Sequence, residues 1–420
     1  MDFFESEIFT YKNNELYCED VPVTEIAEKI GTPVYIYGKI FFEDRYREFT
    51  DAFKEVKHTI FYASKSNFNL SVIKTFTDLG SGVDVNSEGE LYRALKVGVN
   101  PKKIILTGVG KSANEIKLGL ELDLLMIKAE SEEEIYLINE IAASLGKVAR
   151  VAIRVNPDVN AQTHPYISTG LAENKFGIDT EAAYTLYKKQ NELKNIKFTG
   201  IDMHIGSQIT KIEPFVEATT KLADLFLKLK AEGINLEHFD MGGGIGVRYE
   251  NEKTFSVKKL AEAIMPILKK LDCEIFFEPG RYLTANGGIL AAKVLYTKKN
   301  HDKNFIVTDT AMTDLLRPSI YRAYHHVQPV KLEIGRNNII ADIVGPVCES
   351  GDFLAKDREI LSSNPGELLA VFSAGAYGMT MASNYNARRR APEVLVSGNS
   401  FKVIRSRETF EHLLFDEKIE

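Results

Sequence analysis

The sequence predicts an α/β chain: a (β/α)8 barrel of TIM type, followed by an all-β domain that also takes in the N-terminal segment. Three observations carry that prediction. Short apolar runs alternate with segments of helical periodicity through the middle of the chain. The helical segments bear start and stop residues where those runs leave room for them. After Arg281 the helical periodicity gives way to short β-rich runs separated by turn residues.

The apolar runs that read as buried parallel strands are Thr59–Ser64, Gly82–Val85, Lys103–Leu106, Leu124–Ile127, Val151–Val155, Phe198–His204, His238–Met241 and Glu274–Phe277. Three intervening helices open on Ser-x-x-Glu: Ser87 with Glu90, Ser112 with Glu115, and Ser131 with Glu134. Each pair predicts a capping box, in which Ser and Glu reciprocally satisfy backbone N–H groups of the first turn. Gly146 and Gly233 stand where helices should end. Eight strand–helix units over about 250 residues is the size of a closed barrel. An open doubly wound sheet has no reason to stop at that number.

Downstream, Gly288–Tyr296, Asn304–Thr308, Val327–Glu333, Ile339–Val347, Leu368–Ser373 and Lys402–Arg405 predict the strands of the β domain. Ile8–Tyr17 predicts a hairpin around Asn13-Asn14, expected to pack with these later strands. The expected division is residues 35–281 for the barrel, and 1–34 with 282–420 for the β-rich domain.

Composition narrows the function classes. A formal net charge of -7 argues against a nucleic-acid partner, which needs an excess of cations. The run Arg388-Arg389-Arg390 reads as a solvated loop. Cys18, Cys273 and Cys348 have neither disulfide-framework nor metal-ligand spacing, so no metal site and a reducing, cytoplasmic setting are expected. Met1–Tyr11 has no basic stretch followed by an apolar run, so no secretory signal is expected, and no segment has the length and apolarity of a membrane span.

In a barrel of this kind, catalytic residues come from the C-terminal ends of the strands. The polar residues at the predicted ends are Lys65, Asp84 and Ser87, Arg154 and Asn156, and His204 and Ser207, joined by Gly108, Gly206, Gly242-Gly243-Gly244 and Glu278-Pro279-Gly280-Arg281. Collected at one rim, they predict a single site. A lone Lys65 would be read as a rim lysine in an ion pair. At a buried strand end its charge is disfavoured, which makes the amine a better Schiff-base former. Met241-Gly-Gly-Gly-Ile-Gly246 lets backbone N–H groups approach an anion, although a tight strand–helix turn needs the same glycines. It lacks the Lys-Ser/Thr of a nucleotide P-loop. Glu278 narrows the chemistry: a carboxylate facing a pyridine nitrogen keeps it protonated and makes the ring a strong electron sink. The plainer reading is a turn carboxylate paired with Arg281. His204 is otherwise a core histidine, and beside a planar cofactor its ring would stack.

With Lys65, His204, the triple glycine and Glu-Pro-Gly-Arg in this order, the chain resembles the alanine racemase-like pyridoxal-phosphate (PLP) enzymes, and among them the diaminopimelate decarboxylases. The resemblance runs from about Pro33 to Phe415. It implies a barrel with a C-terminal β domain, and a homodimer with shared active sites. It implies that Lys65 carries the cofactor as a Schiff base, that His204 stacks on its ring, and that Glu278 pairs with the pyridinium nitrogen. Ser207, Gly243, Gly244 and Tyr377 would hold the phosphate, with Asp84, Gly280 and Arg281 as further cofactor contacts. Arg317-Pro-Ser-Ile-Tyr321 matches the family's substrate-binding Arg and Tyr; Arg281 and Tyr377 are expected to join them. Cys348-Glu349-Ser350-Gly351-Asp352 matches the motif that reaches a neighbouring subunit's site, with Cys348 the acid that protonates the product carbanion and Glu349 a substrate ligand. Ser66 and Asn86 are small departures, where Ala and an apolar residue are more usual.

The implied reaction is decarboxylation of meso-2,6-diaminopimelate to L-lysine and CO2, the last step of lysine biosynthesis. Arg281 and Arg317 suit a substrate with a second carboxylate, and Glu349 its ammonium; a substrate with a purely cationic distal end would want carboxylates there instead. The rivals are a related decarboxylase for a polyamine precursor or a basic D-amino acid, an alanine racemase, and a non-catalytic regulatory homologue. The racemase is disfavoured because it would place Arg at the ring nitrogen. The regulatory homologue is disfavoured because Lys65, the glycines and Cys348 are all retained.

Overall fold

The computed structural model describes residues 4, 6–161, 169–170, 174–333 and 335–420, so Met1–Phe3 and Glu5 of the N-terminal segment lie outside the described residues. The chain forms two compact units, one of residues 45–247 and 253–282, the other of residues 1–44, 248–252 and 283–420.

In the first unit eight parallel strands close into a barrel: β1 (His58–Ala63), β2 (Gly82–Val85), β3 (Ile104–Leu106), β4 (Met126–Ala129), β5 (Ala149–Asn156), β6 (Ile196–Asp202), β7 (His238–Asp240) and β8 (Glu274–Phe277). Neighbours in sequence are neighbours in the sheet, β8 pairs with β1, and a two-residue strand, Ile178–Asp179, is added beside β5. The predicted strands all form. The fourth and sixth slide by two residues in opposite directions: Lys128 and Ala129 belong to the fourth and Leu124 and Leu125 do not, while Ile196 and Lys197 belong to the sixth and Met203 and His204 do not.

Strand alternation sends every second side chain inward. The inward residues of one layer are apolar: Phe61, Ile105, Met126, Ala152 and Phe276 pack as a cluster. Gly82 and Gly200 belong to the same layer, since a Cβ on Gly82 would lie 2.4 Å from the Phe61 ring and one on Gly200 3.0 Å from Met126 Cε. Two residues further along the same strands the composition switches to Asp84, Lys128, Arg154, Asp202 and Asp240, all buried. That switch positions the site.

The surrounding helices bury one stripe each; in Glu213–Ala231 the buried Phe215, Leu222, Phe226 and Leu229 recur at helical spacing. The Ser112–Glu115 capping box forms in full. The other two are half-formed: Ser87 and Ser131 each accept the N–H of the Glu three residues on, but the carboxylates go elsewhere. Glu90 accepts from Asn86 N (2.8 Å) and Ser64 Oγ (3.0 Å). Glu134 accepts from Glu130 N (2.7 Å) and pairs with the Lys111 ammonium (2.8 Å). Buried donors outbid an N-cap N–H that water can also reach. Gly146 and Gly233 follow helix ends with positive φ, +62° and +89°.

The second unit is built on a nine-stranded sheet, with Phe353–Leu361, Asn338–Val344, Lys303–Thr308, Gly288–Asn300, Val34–Gly38, Glu393–Ser397 and Ser400–Arg405 in spatial order. Val327–Pro329 and Leu368–Val371 pair off this path. The chain leaves this unit after Asp44 rather than after residue 34, because Val34–Gly38 pairs with both Gly288–Ala291 and Glu393–Val396. At the N-terminus Phe9–Lys12 and Glu15–Cys18 form the hairpin, with Asn13 and Asn14 at φ +52° and +64°, the pair of left-handed residues a type I′ turn requires. Leu16 N donates to Val330 O (2.8 Å) and Leu332 N to Asn14 O (2.8 Å), which ties the hairpin to this unit. No described helix is long and apolar enough to cross a membrane.

Candidate active site

Lys65 sits in a single turn of 3-10 helix, Ser64–Ser66, directly after β1. Its backbone is fixed by its neighbours. Ser64 Oγ donates to Asp84 O (2.9 Å), and Ser66 Oγ donates to Ala63 O (2.9 Å). Ser66 therefore closes the turn, which gives the hydroxyl at this position a local purpose. The Lys65 side chain is half-buried.

His204 follows β6. Its Nδ1 accepts the Gly243 N–H at 3.2 Å, which leaves the ring proton on Nε2. Burial, with the Lys65, Arg154 and Lys128 cations close by, holds the imidazole well below its usual pKa, so it is neutral. Arg154 fixes the backbone here, with Nη1 on Glu130 Oε1 (2.9 Å) and Nη2 on His204 O (3.4 Å).

Gly242, Gly243 and Gly244 pack against the neighbouring strand ends more closely than any Cβ allows. One on Gly243 would lie 2.2 Å from Glu278 O, and one on Gly244, where φ is +108°, 2.3 Å from Gly206 O. Close backbone packing alone thus requires these glycines, and no helix follows them until Val257. Beside them Arg281 donates to Ser207 Oγ from Nη2 (2.9 Å) and Nε (3.3 Å). A hydroxyl, a guanidinium and the glycine backbone meet at the ends of β6 to β8.

Glu278 does not pair with Arg281. Its Oε1 contacts Lys128 Nζ, which also lies 2.8 Å from Asp202 Oδ1 and 2.6 Å from Asp240 Oδ2. Burial and the neighbouring Asp240 and Asp84 carboxylates push Glu278 well above the usual carboxylate range, against the pull of Lys128. Asp240 is pushed up to about 6, first by burial. The sequence reading missed Lys128, Asp202 and Asp240. The available signal was one charged residue within or directly after each of three apolar runs, at the register that faces the barrel axis. Asp84 accepts from Thr107 Oγ1 at 2.5 Å, while its Oδ2 is buried with no hydrogen-bond partner among the described residues.

In the second unit Arg317 and Tyr321 lie one turn apart on the helix Arg317–Tyr321. Arg317 is buried, with Nη1 2.8 Å from His325 Nε2 and its guanidinium 4.4 Å from the centre of the Tyr249 ring. His325 Nδ1 lies 2.7 Å from Phe372 O and must donate to it, so Nε2 accepts from the arginine. Cys348 and Glu349 are exposed on a loop whose Asp352 accepts from Met312 N (2.6 Å) and Val347 N (2.7 Å). Cys348 N donates to Asn386 Oδ1 (2.9 Å). Tyr377 is half-buried with φ +54°.

An amine at a strand end, a neutral imidazole, a hydroxyl–guanidinium pair beside bare backbone, a buried carboxyl opposite and an unpartnered Asp84 oxygen fit a planar pyridine that bears an aldehyde and a phosphate. Residues 41–285 match the model of the pyridoxal-dependent decarboxylases, pyridoxal binding domain. A diaminopimelate decarboxylase of Haemophilus influenzae is 47% identical over 406 residues, covering 96% of this chain and 98% of its own. Among solved structures, diaminopimelate decarboxylase from Helicobacter pylori complexed with L-lysine superposes with a TM-score of 0.90 at 42% identity, covering 93% of this chain and 98% of that one. The M. jannaschii enzyme in co-complex with L-lysine gives 0.93 at 38% identity, covering 99% and 98%. The chain belongs to the diaminopimelate decarboxylases, a family of pyridoxal-dependent decarboxylases.

Proposed function

We propose that this chain converts meso-2,6-diaminopimelate to L-lysine and CO2, with pyridoxal 5′-phosphate carried on Lys65. The observation that supports it most is the near-full-length likeness to diaminopimelate decarboxylases, two of them solved with L-lysine. When bound, the cofactor supplies the sink for the electrons of the broken Cα–carboxylate bond.

The protein's own groups have separate tasks. The Lys65 amine would hold the cofactor covalently. Neutral His204 would lie against the ring without adding charge. Ser207, Gly243, Gly244 and Tyr377 bind the phosphate, and the Arg281–Ser207 pair favours a place for Arg281 beside them. Asp84 and Gly280 complete the cofactor contacts. Glu278 faces the ring nitrogen. Arg317, Tyr321, Glu349, Tyr377 and Arg281 bind the substrate, the arginines through its distal carboxylate. Cys348 delivers the proton to Cα, and the exposed position of its loop suits service to a second copy in a homodimer working in the cytoplasm.

Lysine formation and CO2 release from meso-diaminopimelate, run beside ornithine, lysine and a basic D-amino acid, test the substrate. Preference for any of the others overturns the assignment. Cys348→Ala is expected to slow turnover by about 10²-fold or more, the range for losing a general acid, with KM changed little. An unchanged kcat removes Cys348 from the reaction.

A further inference from the structure

Lys128 has no place in the roles assigned above, yet it is the most deeply enclosed charge of the barrel, 0% exposed. Its ammonium contacts one carboxylate from each of three successive strand ends: Asp202 on β6, Asp240 on β7 and Glu278 after β8. These three oxygens are close enough together to hold a metal ion, and the lysine nitrogen stands among them in its place. Removing one ammonium and three carboxylates from water is costly, and the layer beneath shows that the same strands accept apolar residues. A purely architectural role therefore explains the lysine poorly.

The arrangement ties Lys128 to the cofactor face on two sides. Through Asp240, whose Oδ1 accepts the Gly242 N–H at 2.8 Å, it reaches the glycine turn. Through Glu278 Oε1 it reaches the carboxyl assigned to the ring nitrogen, and Oε2 has no hydrogen-bond partner among the described residues. The other charged or titratable groups around this layer are Asp84 on β2, Arg154 on β5, and Lys65 and neutral His204 beyond the strand ends. Arg154 is engaged by Glu130, so Lys128 is the cation in contact with Glu278.

We propose that Lys128 is a positioning residue that sets the charge of Glu278: its ammonium favours the anion of a carboxyl otherwise prone to protonation, so that with the pyridinium as a second cation Glu278 is ionised and keeps the ring nitrogen protonated. Without the ammonium, Asp202, Asp240 and Glu278 would be crowded together with no counter-charge, and the cheapest relief is protonation of Glu278. A neutral Glu278 would no longer favour the pyridinium, and the ring would be a weaker sink. The inference rests on Glu278 facing the ring nitrogen, as proposed above.

The test loads wild type, Lys128→Met, Glu278→Gln and the double variant with PLP labelled with 15N in the ring, and reads the nitrogen chemical shift together with PLP affinity. The wild type should show a protonated nitrogen and Glu278→Gln a neutral one. Lys128→Met should move toward the neutral value and lose about tenfold or more in PLP affinity, the equivalent of one pKa unit at Glu278. In the double variant the shift should not go beyond that of Glu278→Gln, because Lys128 acts through Glu278. A Lys128→Met nitrogen at the wild-type shift overturns the proposal, as do effects of the two substitutions that simply add. A Glu278→Gln nitrogen that stays protonated instead overturns the role of Glu278. If Lys128→Met does not fold, Lys128→Met with Asp202→Asn is compared with Asp202→Asn alone, since the pair removes one charge of each sign. The same displacement toward neutral is expected there, and no displacement overturns the proposal.

Discussion

Two layers of the barrel, one turn of the strand pleat apart, are built on opposite rules. In the lower one Phe61, Ile105, Met126, Ala152 and Phe276 fill the interior with rings and alkyl groups. In the upper one Asp84, Lys128, Arg154, Asp202 and Asp240 put charges into the same enclosed space. Both layers come from the same strands and the same inward register, so backbone geometry cannot be the cause. The lower layer gains from leaving water; the upper layer loses by it and is kept in order by ion pairs and hydrogen bonds. Stability and chemistry are thus assigned to successive levels, and the change falls where the strands reach the end at which barrel enzymes place their sites.

Substitutions that treat the two levels alike should have different consequences. The largest effect is expected at Lys65: Lys65→Ala should abolish the visible absorbance of bound PLP and turnover, while the midpoint of thermal unfolding without cofactor stays close to wild type. A large loss of that midpoint would place Lys65 on the stability side of the comparison. Next, Ile105→Ala in the apolar layer should cost about 2–5 kcal/mol in urea unfolding, with PLP affinity per folded molecule nearly unchanged.

The smallest effect separates the levels by pH. Asp240 is held at about 6 in the folded protein, chiefly by burial, against about 3.9 in an unfolded chain. The folded state therefore binds this proton more tightly, so its contribution is full below about pH 4 and declines as pH rises through 6. Asp240→Asn should flatten that part of the stability–pH curve measured on the apo protein. An unaltered slope between pH 4 and 6 would show that the Asp240 carboxyl is not perturbed.

Much of this architecture was legible in the residues. Short apolar runs located all eight barrel strands, because strands buried on both faces tolerate few polar side chains. Asn13-Asn14 announced its hairpin through the two left-handed residues that the turn needs. Phe353–Leu361 went unread because Lys356, Asp357, Arg358 and Glu359 interrupt its alternation on a face left to solvent. The expected boundary at residue 35 cuts through the strand Val34–Gly38, which was not read as a strand, and no local signal says which of two sheets a strand will join. At the candidate site, strand ends and motif order singled out Lys65, His204, the glycines and Glu278, all of which lie just beyond the C-terminal ends of the barrel strands. Lys128 was lost because a lysine that ends an apolar run and precedes Ala-Glu-Ser-Glu reads as the exit to solvent. Asp202 and Asp240 each look like one tolerated acid in a core strand. Only the closed sheet, which sets β4 across from β6, β7 and β8, makes the three a single object.

Asp352 divides its loop into a fixed base and an open tip. Its two carboxylate oxygens are spent on the Met312 and Val347 N–H groups, and a Cβ on Gly345 would lie 2.4 Å from that carboxylate, so the base admits little change. Cys348, Glu349 and Ser350 project beyond it, exposed. The tip is in effect a replaceable cartridge. Its residues can be exchanged for others with different acids and charges at little risk to the sheet, so if the proposed role of Cys348 holds, selection or a protein engineer can retune the reaction here without rebuilding the protein.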